Sequence, residues 1–108
     1  MIPKKFYSLV ADIMEMCSTT LMKKGDEYSI ASDKLYNFKR AGAMLDQHPA
    51  QALRGMKAKH DISVLDIIEQ VANGQLPTKE LLEEKIKDSI NYLILLYAII
   101  VEEIDKND

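Results

Sequence analysis

Glu84, Asp88 and Asn91 stand at i, i+4 and i+7 within EKIKDSINYLILLYAII, residues 84–100. On a helix that spacing puts all three on one stripe. Continued a turn, the stripe reaches Leu95 and Ala98. Two carboxylates at the edge of a covered surface repel each other and lose solvation, and a cation relieves both costs. Their hard oxygens suit Mg²⁺ or Mn²⁺, with water and phosphate oxygens filling the rest of the shell. The plain alternative is a solvated face, with Lys85 and Lys87 as partners of the two acids.

Other residues with chemical capacity are sparser. His60 lies on an apolar helical stripe, where a lone histidine is more often a hydrogen-bonded core residue than a ligand. Its neighbour Lys59, in the context KAKHD, keeps a phosphate-binding role open. The run KKGDEY, residues 23–28, reads either as a helix stop with dipole-favoured lysines or as a charged functional loop. Tyr36 and Phe38 lie between basic residues and could stack a base, although Phe38 also fits a core face. A zinc site is not expected, since one cysteine and two distant histidines give no recognised ligand spacing. Neither GxGxxG nor GxxxxGK[ST] occurs, and no Ser-His-Asp arrangement is evident.

Four helices must position these groups. Phe6, Leu9, Val10, Ile13, Met14, Cys17 and Leu21 recur at helical spacing, which predicts a first helix over about residues 3–24 with Pro3 at its start and Gly25 at its stop. A polar connection follows. Leu35, Phe38, Ala41 and Leu45 mark a short second helix capped by Ser32 or Asp33. Pro49 opens a third, carried by Leu53, Met56, His60, Val64, Ile67, Ile68 and Val71 to Asn73-Gly74, with a break expected near Asp61-Ile62-Ser63. Thr78 caps the last helix, which runs to about Glu103. No strand pattern is present. The fold class is therefore all-α: one domain over residues 1–108, four-helix and bundle-like.

On a helical wheel with Glu84 at zero, Asp88 lies near 40° and Asn91 near 340°, at about 100° per residue. Leu82, Ile86, Leu93 and Ile100 cluster at about 160–200°, on the opposite side. From Tyr92 onward the helix is apolar all round, which predicts burial on every side. Three short helices give too little cover for that, so a homodimer or homotetramer is expected. Composition agrees with a globular chain: 47% hydrophobic and 29% charged. A net charge of −3 gives none of the basic footprint of a nucleic-acid binder. Cys17 alone can form no internal disulfide and reads as a buried, inert thiol. The longest apolar run, Tyr92 to Val101, falls short of the roughly 20 residues of a membrane span, and MIPKKFYSLV lacks a signal-peptide core. The expected location is the cytoplasm, away from membranes.

The pattern EKIKDSINYLILL resembles the last core helix of MazG-like nucleotide pyrophosphohydrolases, in which an acidic pair precedes an apolar run. The acids there are three apart, and here they are four apart. A closer likeness is to small phage proteins of the "nucleotide modification associated" kind, with acid-x-x-x-Asp-x-x-Asn-Tyr matched by Glu84, Asp88, Asn91 and Tyr92. Their early Lys-x-x-Asp-Tyr element is similar to KGDEYS, matched by Lys24, Glu27 and Tyr28, with Glu in place of Asp. The resemblance implies a Mg²⁺-dependent enzyme that splits a (d)NTP into (d)NMP and pyrophosphate. It implies metal ligation by Glu84, Asp88 and Glu27, with Glu84 and Asp88 catalytic. Lys24, Lys59 and His60 would then meet phosphate, and Asn91 and Tyr92 would contact the nucleotide. The Glu-Glu-x-x-Glu motif of the MazG-like family is not found, and helix one offers only Asp12 and Glu15. That departure motivates a second expectation: a non-catalytic, phage-derived helical protein that binds a nucleotide or a host protein.

Overall fold

The computed structural model describes the backbone of residues 1–28 and 33–107, and the side chains of residues 1–23 and 33–107. Four helices follow one another: α1 (Pro3–Tyr28), α2 (Tyr36–Leu45), α3 (Pro49–Ala72) and α4 (Lys79–Lys106). The described residues contain no strand. No helix among them is long and apolar enough to cross a membrane.

Local chemistry accounts for most of the boundaries. Thr78 Oγ1 accepts the backbone N–H of Leu81 at 3.1 Å, the side-chain cap that a helix start requires. At α3, Pro49 occupies the first turn, where its missing N–H costs nothing. The cap there is His48, whose Nδ1 accepts from the Ala50 N–H at 3.0 Å. Gln51 Oε1 accepts the His48 N–H in return. Because Nδ1 is the acceptor, Nε2 carries the ring proton, and it lies 3.1 Å from Glu103 Oε1 on α4. Gly74, at φ 86°, supplies the left-handed residue that ends α3.

Three expectations about boundaries are corrected. The first helix does not stop at Gly25 but runs on to Tyr28, since one glycine costs a helix only about 1 kcal/mol. The third helix does not break near Ser63. It stays continuous, and Ser63 Oγ donates to the Lys59 carbonyl at 3.0 Å, so the hydroxyl is satisfied within the helix. At α2, Asp33 accepts the Leu35 N–H at 2.9 Å, one step short of the helix, and Leu35 is the capping residue without a side-chain bond.

The core sits where α2, α3 and α4 meet. Leu35, Phe38, Leu53 and Ile99 are buried together, with Met56, Tyr92, Leu95 and Leu96 packed around them. Leu53 is fully buried, a stabilisation of about 2 kcal/mol relative to exposure. Gly42 lets the α2–α3 turn close: its carbonyl accepts the Gln47 N–H at 2.8 Å. A Cβ there would stand 2.6 Å from the Gln47 carbonyl oxygen. Lys39 then ties α2 to α4, with Nζ 2.7 Å from Asp33 and 2.6 Å from Glu102.

α1 packs chiefly on α4. Its apolar stripe is only partly covered: Cys17 is buried, Leu9, Ile13 and Leu21 are half-buried, and Phe6, Val10 and Met14 are exposed. The last helix departs furthest from expectation, because it is not buried all round within the chain. Asn91 and Ile99 are buried, whereas Leu93, Ile94, Tyr97 and Ile100 are exposed. The neighbours α1 and α3 cover one side of α4 and leave the other bare.

Candidate functional site

Asp88 and Asn91 of the α4 polar stripe face inward, while Glu84 at its start is exposed. Asp88 and His60 have equally shielded side chains, 18% exposed each, and their Oδ2 and Nδ1 atoms are 3.7 Å apart. That separation exceeds a hydrogen bond but supports an ion pair whenever the ring is protonated. The His60 ring lies against Tyr92, with centroids 4.8 Å apart and planes inclined by 34°. Tyr92 in turn meets Phe38 edge-on at 6.5 Å. Helical spacing explains the grouping, since Asp88 and Tyr92 are one turn apart on α4 and present adjacent side chains to α3.

Burial, and then the Asp88 charge, push the Tyr92 hydroxyl above its usual pKa of 10.0. It therefore stays a neutral phenol that can donate a hydrogen bond. Burial likewise raises the Cys17 thiol, with the Lys87 ammonium opposing and the Asp88 carboxylate assisting. Cys17 is thus a protonated, enclosed thiol, as its place on the α1 stripe predicted, and it packs from the α1 side near the same acid. Asn91 is 94% enclosed, and its Oδ1 finds no partner in the fold. A buried amide oxygen without a donor is costly, about 1–3 kcal/mol, and such atoms call for a specific reason.

Beside this constellation, α1 and α4 enclose an open groove of about 600 Å³. Asp12 and Glu15 line it from α1; Glu80, Glu83, Glu84 and Lys87 line it from α4. Each helix contributes residues three to four apart, one face of a helix in each case. Five carboxylates and one ammonium give the groove a strongly negative character. The sequence pattern alone offered Asp12 and Glu15 as too few for a motif. The legible signal was their spacing: Asp12 to Glu15 spans three residues, and Glu80, Glu84 and Lys87 stand at i, i+4 and i+7.

The structure brings Glu84 to the groove and Asp88, His60 and Tyr92 to one adjoining cluster. Lys59 is exposed on α3. The side chains of Lys24, Glu27 and Tyr28 lie outside the described residues. Among the described residues, no group of three His, Cys, Asp or Glu side chains converges as a metal cage. The donor chemistry still fits a hard cation, because every candidate ligand in the groove is a carboxylate oxygen. Water and phosphate oxygens would complete such a shell, as Mg²⁺ commonly requires.

No model of a known protein family matches the chain, and neither a curated protein nor a solved structure matches it.

Proposed function

We propose that the chain is a Mg²⁺-dependent nucleotide pyrophosphohydrolase of MazG-like type, converting a (d)NTP to (d)NMP and pyrophosphate. One observation carries the reading: Asp12 and Glu15 of α1 stand across a groove from Glu80, Glu83 and Glu84 of α4. A second set of carboxylates, absent as a motif in the sequence, thus opposes the acidic stripe. A groove so negative repels a triphosphate by itself, and a divalent cation would reverse that repulsion and activate water for attack at phosphorus.

The chain's own groups have separate tasks in this reading. Lys87 carries the one positive charge lining the groove and offsets phosphate charge. Asp88, whose carboxylate lies 3.7 Å from the His60 ring, would take a proton from the attacking water. Tyr92 is a neutral phenol held by burial, and Asn91 Oδ1 is a buried acceptor without a partner in the fold. The second reading, a non-catalytic binder of a nucleotide or a host protein, is favoured by the lack of a three-donor cage among the described residues.

Calorimetric titration with a non-hydrolysable deoxynucleoside triphosphate, paired with turnover assays on the hydrolysable nucleotides, decides between them. Wild type is expected to bind only when Mg²⁺ or Mn²⁺ is present. Asp88→Ala, with helical circular dichroism retained, is expected to lose turnover by about 10²–10⁴-fold, the usual worth of a catalytic carboxylate. Absence of both binding and turnover across the common NTPs and dNTPs would sink the enzyme reading.

A further inference from the structure

The apolar side of α4 is arranged as a seam. Ile86, Ile90, Leu93, Tyr97, Ile100 and Ile104 follow one another at steps of 4, 3, 4, 3 and 4 residues. This alternation is the a/d spacing by which one helix pairs lengthwise with another. The seam lies opposite the inward stripe of Asp88, Asn91 and Leu95. In the single chain it is bare at its C-terminal end: Leu93 is 54% exposed, Tyr97 71%, Ile100 45% and Ile104 56%.

The chain as a whole exposes more surface than a compact monomer of its size. The accessible surface is 8142 Å², whereas a folded monomer of 12.3 kDa should expose about 6,100 Å². The excess, about 2,000 Å², is of the size that an obligate homodimer buries. The radius of gyration agrees, at 16.3 Å against about 13 Å for a compact chain of this length.

We propose that a second copy of this chain docks on the outer seam of α4, pairing α4 with the α4 of the copy. Self-pairing fits because no charged residue stands at any of the six seam positions, so two copies meet without like-charge repulsion. A surface that complements itself closes as a two-fold dimer. The inference does not depend on what the α1–α4 groove binds.

Sedimentation equilibrium of the full chain over a dilution series tests it. Wild type is expected to sediment at twice 12.3 kDa or a higher even multiple. The double variant L93E/I100E is expected to drop one level of assembly, dissociating at least ~100-fold more readily, since each glutamate places a charge in the buried centre of an interface. Tyr97→Lys, at the most exposed seam position, guards against misfolding and should weaken association while leaving the helical circular dichroism unchanged. Wild type sedimenting as a monomer throughout would overturn the proposal. So would an assembly indifferent to all three seam substitutions but dissolved by Phe6→Glu on α1.

Discussion

The corner where α2, α3 and α4 meet and the side where α1 lies on α4 use similar residues and pack differently. At the corner, Leu35, Phe38, Leu53 and Ile99 are buried, and Lys39 and His48 tie neighbouring segments to α4. Along the described part of α1, Cys17 alone is buried, while Phe6, Tyr7 and Met14 stay exposed. The thinly packed side is also where the carboxylates gather. Apolar contact carries the stability of the corner. The α1 side trades contact for an open, charged groove, and such regions open locally at lower free energy than the core.

The sharpest way to break the comparison is to truncate one side chain in each region. Leu53→Ala should cost roughly 3–5 kcal/mol, because a fully enclosed leucine leaves both lost burial and a cavity. Cys17→Ala should cost only about 1 kcal/mol, for a small side chain in a looser setting. Urea denaturation of both variants checks this, and equal losses would show that α1 is as tightly held as the corner.

Gly42→Ala ranks next. The new methyl would meet the Gln47 carbonyl oxygen at 2.6 Å. Backbone must shift to relieve it, at a cost of about 1–3 kcal/mol. Gly55, where a Cβ meets nothing within 4 Å, is the control. There alanine should stabilise, by about 0.5–1 kcal/mol, through better helix propensity. Thermal unfolding separates the two signs.

The Lys39 network sets a pH window. The Lys39 hydrogen bond holds Asp33 and Glu102 below their usual values of 3.8 and 4.5. Asp33 and then Glu102 hold Lys39 above 10.5. Both carboxylates bind fewer protons folded than unfolded near pH 4, so their contribution is full above that range and is lost as pH falls further. The lysine's contribution is full below 10.5 and fades as pH rises through its folded value. Lys39→Met should therefore lower the melting temperature slightly at neutral pH and flatten its decline toward acid. All three groups are more than a third exposed, so added salt should shrink the difference.

The smallest effect is at Asp46, which ends α2 in the left-handed region at φ 53°. Asp46→Gly should stabilise by about 0.5 kcal/mol, raising the melting point by roughly 2–4 °C. A fall instead would mean that the carboxyl contributes more than its backbone conformation costs.

Much of the helical framework was legible because its causes are local. Pro49, Gly74 and Thr78 mark real boundaries through ring geometry, positive φ and a side-chain cap, each acting within a few residues. The caps that were missed also act locally, but His48 is an unusual capping residue, and its second bond reaches α4, far away in sequence. Of the candidate site, the residues of α4 were legible from their stripe. The carboxylates of α1 were not, since nothing in one helix tells which other helix its acids will face.

The sequence by itself determined that α4 has a polar stripe and an apolar stripe on opposite sides, since residue spacing and helical pitch alone dictate it. Only the tertiary structure decided which stripe turns inward. Within one chain, α4 meets α1 and α3 on the side of Asp88 and Asn91, where His60, Cys17 and the core of the α2–α3 corner complete the packing. Its more continuous apolar seam is left outside. Periodicity measures how much apolar surface a helix carries, and the neighbours that the chain can fold against decide which part of that surface loses its water.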